Sequence, residues 1–132
     1  MRLLLSMLLL LVATGCGESQ DAQSNQVRFR DADVGEFARL AAETRHVILD
    51  VRTPAEFATG HLAGAVNLDW RAKDFAERAA KLDKTKTYLI HCATGRRSVS
   101  ACNKLSEMGF SSLFNLKPGI KGWEAEGKPV VR

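Results

Sequence analysis

The chain of 132 residues, 45% of them hydrophobic, has room for one domain with a single core and no need of disulfide staples. Its formal net charge of +4 is mild and scattered. No block of lysines and arginines interleaved with aromatics appears, which argues against a nucleic-acid partner.

In chain order, the first segment reads as a leader. Arg2 is a minimal positive start, Leu3 to Val12 form an apolar run broken only by Ser6, and the small residues Ala13-Thr14-Gly15 precede Cys16. The run is too short to span a membrane as a helix, which takes about 20 residues. Small residues immediately before a cysteine resemble the bacterial lipobox. That implies removal of residues 1–15, lipidation of Cys16 as the new N-terminus, and attachment to the periplasmic face of a bacterial membrane. Ala13 stands where leucine is commonest in that motif, so cleavage to a soluble periplasmic protein is the other outcome the leader allows. Residues 16–26 then form a flexible tether, since Gly17 to Gln26 contain no large apolar residue. The folded domain is expected over residues 27–132, as a monomer.

Within it, strand-like and helix-like segments alternate. Val27-Arg28-Phe29 reads as a short strand. Asp33 caps a helix with Val34, Phe37, Leu40 and Ala41 on one face and Glu36 three residues after the cap. The nearly continuous apolar run from His46 to Val51 fits a strand covered on both faces. Thr53-Pro54, with Glu56 in the capping-box position, starts a short helix that Gly60 stops. Ala65 to Leu68 is a brief strand, followed by a helix burying Phe75 and Ala79. Thr87 to His91 is a strand, and Gly95 to Met108 a helix ended by Gly109. Ser112 to Leu116 is a strand and Gly119 to Ala125 a last short helix. This alternation predicts a single α/β domain, with a central parallel sheet of about five strands flanked by helices on both faces. Sites in such folds lie beyond the carboxyl ends of the strands, where Asp50 and Cys92 should meet.

The segment His91-Cys92-Ala93-Thr94-Gly95-Arg96-Arg97-Ser98 carries the chemistry. A strand, a tight loop and a helix start in that order set the Cys92 sulfur above backbone N–H groups and the positive end of a helix. Such a seat favours thiolate over thiol and can hold an anion beside it. Cys102 falls in the helical stripe Val99, Cys102, Leu105, Met108 and reads as packing. It lies seven residues beyond Gly95, roughly 10 Å along the helix and too far for a bridge to Cys92. Cys92 is therefore expected to be a free thiol. No His, Cys, Asp and Glu set has metal-ligand spacing and no glycine-rich nucleotide loop appears, so neither metal nor cofactor is implied.

Three stretches resemble a single family. Asp50-Val51-Arg52-Thr53-Pro54-Ala55-Glu56-Phe57, continuing Gly60-His61-Leu62-Ala63-Gly64-Ala65-Val66-Asn67, is similar to the signature of the rhodanese (sulfurtransferase) domain. Cys92-Ala93-Thr94-Gly95-Arg96-Arg97-Ser98 resembles its active-site loop, C-x-x-G-x-R-S. Gly119-Ile120-Lys121-Gly122-Trp123, with Gly127 and Pro129-Val130, resembles its closing segment. The match runs from about Val27 to Val130. The resemblance implies that the Cys92 thiolate takes the outer sulfur of thiosulfate or a similar small sulfur-containing anion. A persulfide results, and its sulfur passes to cyanide or a thiol acceptor. In that reading Cys92 is catalytic, while Ala93, Thr94, Gly95, Arg96, Arg97 and Ser98 bind substrate through charge and helix-end amides. Asp50, Arg52 and Glu56 are support. Arg52 is expected to pair with Glu56, and Arg97 to reach Asp50, the substrate, or both; His61 and His91 read as structural.

Four residues separate Cys92 from Arg97, whereas cysteine phosphatases sharing the implied fold place five there. The shorter ring suits a persulfide sulfur better than a phosphoryl group. Ala93 replaces the basic residue that many thiosulfate-using members carry after the cysteine, and Pro118 stands where a glycine is common. The alternative from another class is a sulfur-carrier or partner-binding module that docks without turnover. Retention of Cys92, Gly95 and Arg97 favours the enzyme.

Overall fold

The computed structural model describes residues 28–132. The leader, Cys16, the tether and Val27 lie outside the described residues. Strands and helices alternate as β1 (Arg30–Ala32), α1 (Val34–Ala41), β2 (Val47–Asp50), α2 (Pro54–Thr59) and β3 (Val66–Asn67). They continue as α3 (Phe75–Ala80), β4 (Tyr88–His91), α4 (Arg96–Glu107), β5 (Leu113–Leu116) and α5 (Gly119–Ala125). All five strands are parallel, in the order β1-β5-β4-β2-β3. The expected α/β sheet is the one observed.

The apolar runs explain its centre. Successive residues of a strand point to opposite faces, so β2 and β4 supply both layers of core. Leu49 and Ile90 pack with Phe75 and Ala79 of α3 and with Ala101, Cys102 and Leu105 of α4. Ile48 and Leu89 pack on the other face with Val34 and Phe37 of α1 and with Ile120 and Trp123 of α5. Full burial of each Leu, Ile, Val or Phe among them contributes about 1.5–3 kcal/mol. The expected caps form: Asp33 Oδ1 accepts from the Glu36 amide at 2.8 Å. At the start of α2, Thr53 and Glu56 make the reciprocal capping box, and Gly60 ends that helix. None of the described helices is long and apolar enough to cross a membrane.

The first strand differs from expectation. It lies at Arg30–Ala32, pairing in register with Phe114 to Leu116 of β5, while Arg28 and Phe29 of the expected strand are coil. β1 is an edge strand with two exposed residues, so its sequence is polar and carries little of the apolar signal of a central strand. Phe29 packs on the core from the preceding coil.

The chain leaves β2 outward to β3 and leaves β4 in the opposite direction to β5. The carboxyl ends of β2 and β4 therefore flank the point where the winding reverses, the usual place for a crevice in an open α/β sheet. Asp50 and His91 are register partners there, and Cys92 is the next residue.

Candidate active site

From the end of β4 the chain turns through Cys92, Ala93 and Thr94 to Gly95, the N-cap of α4, which sits in the left-handed region at φ 95°. The turn wraps the Cys92 sulfur with donors. The Gly95 N–H reaches Sγ at 3.1 Å and the Ser98 hydroxyl at 3.4 Å. The amides of Thr94 and Ser98 also donate toward it. Cys92 is 1% exposed, so the sulfur lies at the bottom of this ring. Burial is the largest single influence on the thiol and opposes ionisation. The combined hydrogen bonds from Ser98, Thr94 and Gly95 outweigh it and hold the Cys92 pKa below the ordinary thiol value. Cys102, wholly buried on the inner face of α4, is pushed the other way by burial, with Asp31 and Cys92 adding to the rise. Neither Cys92 nor Cys102 is in a disulfide.

These shifts have a measurable consequence. Because the Cys92 pKa is depressed, its thiolate persists at pH values where a free thiol is protonated, and declines only as pH falls through the lowered pKa. The pH profile of iodoacetamide alkylation, followed by mass, should place the Cys92 midpoint below that of a cysteine peptide, with Cys102 unlabelled throughout. Coincident midpoints would show that the ring of donors does not stabilise the thiolate.

The loop keeps its shape because α5 grips it from behind. The amides of Ile120 and Lys121 donate to the carbonyls of Cys92 and Ala93 at 2.9 and 3.1 Å. With those carbonyls drawn toward α5, the following N–H groups are free to face the sulfur. The approach is so close that glycine is required on both sides. A Cβ on Gly119 would lie 2.3 Å from the Ala93 oxygen, and one on Gly95 would lie 2.3 Å from the Lys117 oxygen. Pro118, the departure noted above, precedes the left-handed Gly119 (φ 66°) as the N-cap residue of α5. The bare Cα of Gly122 makes room for its ring.

The supporting residues gather at the same edge with different partners from those expected. Arg52 pairs with Asp50, not Glu56: its Nη2 and Nε reach the carboxylate at 2.6 to 3.1 Å. The Asp50 carboxylate is wholly buried, and leaving it unpaired would cost more than an exposed pair gains. Arg52 Nη2 also donates to the Gly60 carbonyl at 2.7 Å, tying the end of β2 to the end of α2. Glu56 instead takes Arg97 in a two-pronged pair, with both N–O distances 2.7 Å. Arg97 is thus not on Asp50. The Arg97 hydrogen bond is the main cause that holds the Glu56 carboxyl well below the usual carboxylate range. The pair clamps the first turn of α4, and with it the Cys92 loop, to α2. Asn67 closes the edge, its amide donating to the carbonyls of Asp50 and Arg52 at 3.0 and 2.8 Å.

Both histidines are engaged locally. The buried His91 ring donates from Nδ1 to the Cys92 carbonyl at 3.2 Å and lies edge-on to Phe37, on the α1 side of the sheet. Desolvation depresses its pKa, so it is buried neutral. His61 stacks on Phe57 at 3.8 Å and bonds its carbonyl. Arg96 and Thr94 are exposed, and Ala93 is partly so.

Sequence reasoning did not find three contributors. The α5 amides act through backbone contacts that leave no side-chain signature, and Asn67, read only as the last residue of the family-like signature, acts through its side-chain Nδ2. Asp69 lies close enough to Arg97 to raise its pKa, adding a second carboxylate to that side of the loop. A hollow of about 530 Å³, lined by Arg45, His46, Lys86 and Thr87, sits at the opposite end of the sheet, where β2 and β4 begin. It has no part in the Cys92 constellation.

Comparison with known proteins agrees with this geometry. The family model described as the rhodanese-like domain matches residues 33–126. A protein of Allochromatium vinosum named "Sulfurtransferase" is 33% identical over 102 residues, 76% of this chain and 94% of that one. The thiosulfate sulfurtransferase GlpE of Stutzerimonas stutzeri is 34% identical over 95 residues, 67% of this chain and 85% of that one. Among solved structures, a rhodanese-related protein of Thermoplasma volcanium superposes with a TM-score of 0.69 at 30% identity, covering 77% of this chain and 97% of that one.

Proposed function

The chain belongs to the rhodanese-like domain family, and on that premise we propose that it is a sulfurtransferase working through a persulfide on Cys92. The observation that carries the reading is the ring of donors around the Cys92 sulfur, which favours a thiolate at the base of an anion-accepting loop. The Cys92 thiolate attacks the outer sulfur of thiosulfate; the S–S bond of thiosulfate breaks and sulfite leaves with the electron pair. The new persulfide keeps one negative charge, which the amides of Thr94, Gly95 and Ser98 are placed to stabilise. An acceptor thiolate or cyanide then takes the outer sulfur and returns Cys92 as thiolate. With Arg97 already held by Glu56, the loop amides are the principal donors to the anion, and the arginine's first task is to brace the loop. The leader sequence extends the proposal to a domain held at the periplasmic side of a membrane through a lipid on Cys16.

Intact mass after incubation with thiosulfate tests this directly. One added sulfur is expected, mapped to Cys92, unchanged in Cys102→Ser, and removed by cyanide with release of thiocyanate. Absence of the adduct, or its location on Cys102, overturns the enzyme. An adduct that no acceptor removes points to the sulfur-carrier alternative.

A further inference from the structure

A groove of about 470 Å³ opens beside the catalytic loop, between the end of β5 and the start of α4. Thr94 and Gly95, whose amides serve the Cys92 sulfur, also form its wall, together with Arg96, Asp31, Asn115 and Lys117. Its volume falls in the range of small-molecule sites, about 300–1,000 Å³. We infer that this groove seats the head group of the sulfur acceptor, and that the acceptor is a small thiol bearing both an ammonium and a carboxylate, as on an α-amino acid. The inference rests on the sulfurtransferase reading above.

Two observations define the head group. Asn115 is 1% exposed and spends its amide N–H on Asp31 Oδ1 at 2.9 Å. Its own Oδ1 accepts no hydrogen bond among the described residues. That oxygen is itself sealed from solvent, so it marks a corner of the groove short of hydrogen-bond donors, and the carboxylate next to it is the group a ligand meets. The Asp31 carboxylate beside it makes that corner attractive to a cationic donor. Across the groove, the exposed Arg96 and Lys117 supply two positive charges suited to a carboxylate. A thiol with only one of the two charges leaves one side of the groove unanswered.

Seated there, the acceptor thiolate attacks the outer sulfur of the Cys92 persulfide. The new S–S bond forms as the old one breaks, the electron pair returns to Sγ, and the product leaves as the acceptor's own persulfide.

Two measurements on the purified protein decide the matter. S-Methylcysteine, which keeps the head group but cannot accept sulfur, should bind and shift the amide resonances of Gly95 and Asn115. In turnover, KM for cysteine should be about fivefold below that for cysteamine or 3-mercaptopropionate, the scale of one exposed ion pair. Lys117→Ala should raise KM for cysteine and 3-mercaptopropionate but not cysteamine. Asp31→Asn should raise KM for cysteine and cysteamine but not 3-mercaptopropionate. If sulfur loads onto Cys92 while S-methylcysteine fails to bind and the three thiols share one KM, the groove assignment falls and the sulfurtransferase reading stands. If no sulfur loads, the latter falls, and S-methylcysteine binding alone still decides the groove.

Discussion

Cys92→Ser is expected to abolish sulfur transfer, with a loss of at least about three orders of magnitude, equivalent to about 4 kcal/mol of barrier. The ring of donors around position 92 lowers the pKa of a thiol that is already acidic enough to ionise. An alcohol starts far above that range, and the same hydrogen bonds cannot bring it to an alkoxide near neutral pH. Serine can still accept from the Gly95 amide, so the fold should persist, and circular dichroism and the denaturation midpoint should match the parent closely. Thiocyanate release from thiosulfate and cyanide, read beside intact mass, is the measurement. Turnover surviving in the variant, or a sulfur adduct still present, would place the nucleophile elsewhere and remove the basis of the proposed mechanism.

The parts of this domain that were legible in the sequence are those whose cause is local. Leu49, Leu89 and Ile90 are each wholly buried, and the unbroken apolar runs of β2 and β4 report that double coverage. The loop after Cys92 could be read because strand, turn and helix start follow one another within a few residues. β1 was misplaced because an edge strand reading Arg-Asp-Ala announces itself only through its pairing with β5. The ion pairs illustrate the same limit. Glu56 had two arginines to choose between, and its partner Arg97 is 41 positions away. The choice turns on Asp50: a carboxylate sealed under the sheet edge claims Arg52, leaving Glu56 free for Arg97. That burial is a tertiary fact. The groove beside the loop is harder still, since its Asp31–Asn115 contact joins residues 84 positions apart.

The grip of α5 on the loop yields the second large effect. Gly119→Ala should destabilise the domain by about 2–4 kcal/mol and cut sulfur transfer by more than tenfold. Two costs are involved, and a second glycine separates them. Alanine at φ 66° carries the left-handed penalty of roughly 1–2 kcal/mol. Its Cβ would also meet the Ala93 oxygen, carbonyl carbon and the Thr94 nitrogen at 2.3, 2.5 and 2.6 Å, all backbone atoms of the Cys92 loop. Relief requires α5 and the loop to part, which breaks the bonds from Ile120 and Lys121 and lets the amides turn away from the sulfur. Gly127 also has a left-handed backbone, φ 74°, but a Cβ there meets nothing within 4 Å. Gly127→Ala should therefore show the backbone penalty alone, with the alkylation profile of Cys92 unmoved. In Gly119→Ala the Cys92 midpoint should rise toward that of a free thiol, because the donors that lower it have shifted. Equal denaturation midpoints and equal alkylation profiles for the two variants would mean that α5 does not shape the cradle. The donors around Cys92 would then be held by the loop and α4 alone.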